Sequence, residues 1–486
     1  MKDQINVKKN VLIPMRDGVE LSADLYMPET NDPLPTILKY YPYRKDDYLR
    51  ALAEPRARYF AERGYISAIL DIRGTGSSGG YTDMMMRKQE WEDGYDAVEW
   101  IADQEWCDGN VGMTGVSYGG FSSMLTAREN PPHLKAIIPI YFGYDLYQNT
   151  HEGNVGFICA GPYNSMMTAL NAVPPARDPA GRWLEVWDEH LENNSPWGIP
   201  WMDNESDNEM WREGSIKHDI EKVECATYII GSWHDVFVSD PLKTYMNLNP
   251  KTPKKLLMGP YLHIAPIIGV PGPKIDHLHE SLRWFDRWLK NIDTGIENEP
   301  PITIFVRKFD PPTIRRDVTT GFWRNELEWP LKRSIEKRLY LHPKGLLGSS
   351  PIDFDQTDDN DFYTYDPTVG YTTMGLLTGF GADLGLPIDQ RPDESKSLVY
   401  TSDSLENDLE VTGFPRAILY VSSTTDITRF VVKLCDVTTD GISSLVSKAS
   451  INMAYRDGNS NPSLIKPGEI YKIELELEPM SYIFEK

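Results

Sequence analysis

The 486-residue chain holds only four cysteines, Cys107, Cys159, Cys225 and Cys435, and no two of them form a Cys-x-x-Cys pair. That spacing argues against a disulfide-stapled secreted scaffold and fits reduced thiols in the cytoplasm. Positive charge is scarce as well: 49 Lys and Arg face 72 Asp and Glu, and the net charge of −23 disfavours a nucleic-acid partner. The first ten residues lack the apolar core of a signal peptide, and no apolar run approaches a membrane span. The expectation is a soluble, cytoplasmic protein with no membrane partner.

Cofactor and metal signatures are missing too. Gly74-Thr-Gly76 follows an apolar strand but lacks the third glycine and the helix of a dinucleotide fingerprint, and Arg73 with its glycines reads instead as a rigid turn. The acidic run Asp353 to Asp361 lacks the central glycine and terminal Glu of a calcium loop. His277 and His279 open a helix on which they fall on different faces, so they do not form a zinc pair. No cofactor and no metal are expected.

What is present is Gly115-Val-Ser117-Tyr-Gly119, set between a short apolar run and a helical stretch of small residues. This is the pattern of a nucleophile elbow, a strained strand-to-helix turn that holds a serine Oγ exposed while glycines on either side avoid steric clashes. Glu90 to Glu105 upstream carries Trp91, Tyr95, Val98, Trp100 and Ile101 at helical spacing, giving the order helix, strand, elbow, helix.

A serine needs a base, and the base needs a carboxylate to orient it. The strand-like run Ala226 to Gly231 ends just before Asp235, and Lys255 to Gly259 ends just before His263. Both groups therefore fall on loops at the carboxyl edge of a parallel sheet, beside Ser117 and in the order Ser, Asp, His. His234 competes as base, against a structural role in its turn. One oxyanion donor is expected from the backbone N–H of Tyr118. For the second, Tyr43 after Pro42 offers its phenol, with packing of the pocket wall as the equal alternative.

The length suggests two or three domains. Residues 1–142 and 220–297 alternate strands and helices as an α/β-hydrolase core, and 143–219, rich in Trp, Asn and Pro, reads as an inserted helical cap. From 298 to 486 short β-rich runs such as Ile302 to Arg307, Arg338 to Leu341 and Arg416 to Val421 predict a β-sandwich.

Taken together, Asp17-Gly18, Pro42-Tyr43, Asp71 to Gly79, Gly115 to Gly120, Gly231 to Asp235 and Gly259 to His263 resemble, in order, the cocaine-esterase-like and X-prolyl dipeptidyl-peptidase (S15) serine hydrolases, related to the α-amino acid ester hydrolases and cephalosporin acylases. The resemblance implies a Ser117, Asp235, His263 triad, an oxyanion hole of Tyr43 hydroxyl and Tyr118 N–H, and a C-terminal jelly roll. It also implies further sandwich strands beyond Phe484, so a truncated sequence with unpaired edge strands is expected. The activity it implies is cleavage of a small-molecule ester or amide through an acyl-enzyme. Ester cleavage is favoured because X-prolyl peptidases often carry an extra N-terminal domain, whereas the first strand here begins within about a dozen residues of Met1. An X-prolyl dipeptidyl-peptidase and an α-amino acid ester hydrolase or β-lactam acylase are the alternatives; for the latter, Asp145 and Glu152 are candidates to hold a substrate ammonium, with Trp233 as a further contact. A carbohydrate-binding scaffold is the non-enzymatic alternative, and a homo-oligomer stays open.

Overall fold

Seven strands run parallel in the order β4-β3-β5-β6-β7-β8-β9: β3 (Leu34–Tyr41), β4 (Ile66–Asp71), β5 (Cys107–Val116), β6 (Leu134–Ile140), β7 (Ala226–Ser232), β8 (Lys254–Gly259) and β9 (Ile302–Arg307). β1 (Ile5–Pro14) and β2 (Glu20–Pro28) extend one side antiparallel, and β10 (Gly321–Glu326) pairs antiparallel with β9. These features come from a computed structural model, which describes residues 5–151, 163–177, 181–352, 360–372 and 385–486.

The central strands are apolar on both faces because helices cover both. Successive side chains alternate, so Ile138, Ile140, Tyr228 and Ile230 meet Phe60 of α1 (Arg50–Ala61) and Trp284, Phe285 and Leu289 of the helix His277–Leu289. Their neighbours Met113, Ile137 and Ile229 join the cluster with Trp91 and Val98 of α2 (Lys88–Ala102) and Phe121 and Leu125 of α3 (Tyr118–Arg128). The fold is that of an α/β hydrolase, as its residue patterns predict.

Between β6 and β7 the described chain is helical, with Leu146–His151, Asn164–Asn171, Trp183–Glu192, Ile199–Met202 and Glu209–Gly214. Trp197, Trp201 and Trp211 are buried here, whereas Trp183 is exposed. The segment is fastened to the sheet layer at several points. The Arg44 guanidinium donates to the carbonyls of Leu170, Val173 and Pro174 at 3.2, 2.8 and 2.8 Å, Trp197 Nε1 donates to Thr82 O at 3.2 Å, and Arg128 donates to Ser215 O at 2.9 Å.

The C-terminal part is β-rich. Strands Arg416–Val421 and Tyr471–Glu476 pair with each other, as do Arg429–Val437 and Ser443–Asn452, and Ile473 and Leu475 pack with Phe430 and Val432 between the two pairs. Two details differ from expectation. Ile302–Arg307 is hydrogen-bonded to β8 in the central sheet, and a mostly apolar run of six residues cannot reveal a partner some fifty residues away. Met480–Phe484 is paired antiparallel with Leu409–Gly413 and through Tyr482 with Arg307 of β9, so it joins the central sheet, while Arg416–Val421 with Tyr471–Glu476 and Arg429–Val437 with Ser443–Asn452 remain two-stranded.

Candidate active site

Ser117 lies at the junction of β5 and α3 with φ 61° and ψ −119°, a conformation that costs a non-glycine residue on the order of 1–3 kcal/mol and persists only where the surroundings enforce it. Its N–H donates to Ile140 O of β6 at 2.8 Å, while its own carbonyl accepts from Gly120 and Phe121. A Cβ at Gly115 would stand 2.5 Å from Gly119 C, so this glycine is obligatory. At Gly119 the nearest atom would be Tyr40 O at 3.8 Å, while at Gly120 a Cβ would meet Ile140 O at 2.9 Å. The second steric constraint therefore falls one residue later than the motif suggests.

Beyond β7 and β8 the chain forms two adjoining loops. Trp233 N donates to Gly259 O at 2.9 Å, and Ser232 Oγ donates to Gly259 O at 2.9 Å and to Tyr261 O, which ties the two strand ends together. His263 Nδ1 consequently lies 2.5 Å from Asp235 Oδ2, with both side chains buried, and Asp235 Oδ1 accepts from Phe237 N at 2.8 Å. The imidazole is flanked by the rings of Tyr141, 5.7 Å away between centroids, and Phe237, 5.9 Å away. A carboxylate held on both oxygens and a ring flanked by two aromatics make a fixed acceptor for an N–H at Nδ1, the tautomer that leaves the proton off Nε2.

Tyr43 is buried on the loop after β3, its hydroxyl 3.2 Å from that of Tyr163 and its ring edge-on to Tyr118 at 6.2 Å. Tyr118 is the first residue of α3, where helical N–H groups have no acceptor within the helix and face outward with the positive end of the dipole. The Tyr118 side chain points the other way, into the core, donating to Glu90 Oε2 at 2.7 Å and accepting from Met86 N at 3.2 Å. Burial pushes the Glu90 carboxyl up to about 8.

The sequence profile of the X-Pro dipeptidyl-peptidase (S15) family matches residues 17–265, and that of the X-Pro dipeptidyl-peptidase C-terminal non-catalytic domain matches residues 294–486. The chain belongs to the S15 family. It is 29% identical to cocaine esterase from Rhodococcus sp. (strain MB1 Bresler), over 99% of this chain and 88% of that protein. It is 26% identical to a protein assigned as a serine esterase in Mycobacterium bovis, over 97% of this chain and 87% of that one. The crystal structure of a CocE/NonD family hydrolase from Staphylococcus aureus superposes with a TM-score of 0.75 at 18% identity, covering 99% of this chain and 84% of that one, which shows a shared fold. This S15 chain is a serine hydrolase.

Other residues singled out in the sequence of this S15 hydrolase are occupied elsewhere. Trp233 is buried and its indole Nε1 donates to Phe305 O of β9 at 2.7 Å, so it fastens the Asp235 loop to the sheet. Asp145 is buried with Lys217 Nζ 2.5 Å from Oδ2 and Gln148 N on Oδ1, so its carboxylate already has a cation beside it. Glu152 and Cys159 lie outside the described residues, as does most of the Asp353 to Asp361 run. His234 is driven well below its usual pKa by burial and by Arg307 and Arg316. His277 is buried and His279 exposed. Among the described residues no group of three His, Cys, Asp or Glu could hold a metal, and no helix is long and apolar enough to cross a membrane.

Three supports of the site were not read from the sequence. Glu90, which accepts from the Tyr118 hydroxyl, marks in the sequence only the start of a helical stretch. Tyr141, at φ 53° just past β6, has no motif to mark it. Lys45, fully buried after Tyr43, has Asp46, Asp24 and Asp71 at 2.7, 3.3 and 4.0 Å around its ammonium. Here only the Asp71 end was signalled, by the Asp71 to Gly79 turn: Asp71 Oδ1 accepts from Lys45 N at 2.7 Å, and Arg73 is clamped by Asp93 at 2.8 and 2.7 Å.

Proposed function

We propose that Ser117, His263 and Asp235 are the catalytic triad of a carboxylic ester hydrolase that works through an acyl-enzyme. In this reading Ser117 Oγ attacks the ester carbonyl while His263 Nε2 takes its proton, and Asp235 holds the imidazolium through Nδ1–H. The tetrahedral oxyanion takes hydrogen bonds from Tyr118 N–H and the Tyr43 hydroxyl. It collapses as His263 returns the proton to the departing alkoxide, leaving an ester on Ser117. Water, deprotonated by His263, then attacks the acyl carbonyl and releases the acid and Ser117. The observation that carries this reading is a strained serine at a helix N-terminus on the same sheet edge as a 2.5 Å His263–Asp235 contact.

A small-molecule ester is the favoured substrate because the relatives named above, matched over nearly the whole chain, bear esterase names. A dipeptidyl-peptidase acting after proline is the second reading, supported by the family profile itself. Residues 1–142 and 220–297 as catalytic core, 143–219 as cap and 298–486 as second domain are part of the same proposal, with β9 assigned to the core sheet.

The test is to treat the protein with a fluorophosphonate, map the adduct by mass spectrometry, and measure turnover of p-nitrophenyl acetate, p-nitrophenyl butyrate and glycyl-prolyl-p-nitroanilide. A Ser117 adduct, ester turnover and loss of both in Ser117→Ala are expected. Faster cleavage of the anilide than of either ester would transfer the assignment to the peptidase reading. An inert, folded protein would remove the hydrolytic assignment altogether.

A further inference from the structure

A cavity of about 30 Å³ opens on the far side of β5 from the α3 layer, between the sheet, α1 and the helix His277–Leu289. One water needs roughly 10–15 Å³ of such room, so this space holds two or more waters or one small polyatomic ion. Thr114, Gly115 and Val116, the three residues leading into Ser117, form part of its wall. Its polar lining is cationic: Lys39 from β3, Arg56 from α1 and His277 from the first turn of the helix all border it.

None of these groups has a counter-ion. Among the described residues no carboxylate lies within ion-pair distance of Lys39 or Arg56, although most other partly buried cations of the chain have one, such as Lys45, Arg73 and Lys255. The charged side chain acting on Lys39 is Arg56, and those acting on His277 are Arg56 and Lys39, with no acid among them. His277 is 2% exposed and its Nδ1 has no hydrogen-bond partner. The backbone at that point is the N-terminus of a 13-residue helix, whose dipole adds further positive potential. Ser281 Oγ, also on the wall, is already used on His277 O at 2.7 Å, and the nearest acid in sequence, Asp276, is exposed and caps His279 N at 3.1 Å.

Uncompensated buried charge is costly, and the usual remedies are a partner or loss of the proton. We propose that this cavity is a binding site for one small oxyanion, a phosphate, a sulfate or a carboxylate, held by Lys39, Arg56 and His277 behind the strand that presents Ser117. The anion would join α1 and the helix His277–Leu289 to β5 with charge-assisted hydrogen bonds, beyond the cation–π contact of Lys39 Nζ, 5.8 Å over the Tyr41 ring. In support, burial and the neighbouring guanidinium lower the Lys39 ammonium to about 7, and burial with both cations lowers His277 to about 3, shifts that a bound anion would reverse. The site stands apart from the reading of Ser117 and does not depend on it.

The experiment is titration of the full chain with inorganic phosphate, sulfate, acetate and chloride at constant ionic strength, followed by calorimetry and thermal unfolding. Protein whose Ser117 has been replaced by Ala is run alongside, so that binding in the catalytic cleft is recognised separately. One phosphate or sulfate per chain is expected to bind saturably and to raise the unfolding temperature, unchanged in Ser117→Ala. Lys39→Met and Arg56→Met should each weaken it at least tenfold. Without anion, both variants should unfold at a higher temperature than the parent, because each removes an unpaired charge; a purely structural lysine or arginine would give the opposite sign. Saturable acetate binding with no response to phosphate would assign the site to carboxylates. Absence of saturable binding by any oxyanion, or binding indifferent to both methionine variants, would overturn the proposal.

Discussion

Replacing Tyr43 with phenylalanine removes one oxygen and leaves the ring contacts with Tyr41 and Tyr118 in place. In the ground state the lost interaction is the 3.2 Å hydrogen bond to Tyr163, a neutral pair worth about 1 kcal/mol of stability. In the transition state, an oxyanion donor in a buried site is worth far more, about 2.7–4 kcal/mol, or a fall of roughly 10²–10³ in kcat. The two effects separate in a paired comparison. Tyr163→Phe deletes the same tyrosine–tyrosine bond from the other side and should lower stability by a similar amount, while its kcat stays within about fivefold of the parent. Stopped-flow hydrolysis of p-nitrophenyl butyrate resolves acylation, where the loss should appear, with KM almost unchanged. If Tyr43→Phe costs no more than Tyr163→Phe, the phenol packs the wall and a different donor must complete the oxyanion hole.

Three other outcomes follow from the geometry. Trp233→Phe frees Phe305 O in a buried place, so urea unfolding should show a loss of about 1–3 kcal/mol while kcat/KM per folded molecule stays within about twofold; a raised KM would restore Trp233 as a substrate contact. Gly115→Ala forces a methyl to within 2.5 Å of backbone and should lower kcat by about 10²-fold, whereas Gly119→Ala, with 3.8 Å of room, should stay within about 0.5 kcal/mol of the parent in stability. Glu90 has its carboxyl raised from 4.5 to about 8, so the folded state binds this proton more tightly than the unfolded state; the associated stability is complete below about pH 4.5 and is lost as pH rises through 8. Glu90→Gln should flatten that decline, read as a smaller difference between denaturation midpoints measured at about pH 5 and about pH 9.

Much of the site was legible because its elements are local in sequence. A strand, a glycine turn and a polar residue just beyond it occur three times, at Ser117, Asp235 and His263, and parallel strands bring all such turns to one edge. The bonds that hold Asp145 and Trp233 could not be read because a side chain's partner is non-local: Lys217 is 72 residues from Asp145, and Phe305 is 72 residues from Trp233. The same limit hid β9, whose mostly apolar six residues suit a sandwich or a central sheet equally well. Lys39, Arg56 and His277 lie on three separate elements and share no motif, so only their meeting in one cavity makes them visible.

The fastening of the helical segment by Arg44 bears on how substrates arrive. The buried guanidinium of Arg44, a residue with left-handed backbone at φ 57°, grips the carbonyls of Leu170, Val173 and Pro174 and also Asp47. With 143–219 proposed as a cap, Leu170 to Pro174 is thereby tied to the loop that carries Tyr43, so this stretch does not swing independently of that loop, and entry to Ser117 past it resembles threading a fixed aperture more than waiting for a door. Encounter rates should then scale linearly with substrate concentration without reaching a gating plateau, and selection among acyl groups becomes a matter of passive fit, set before chemistry begins.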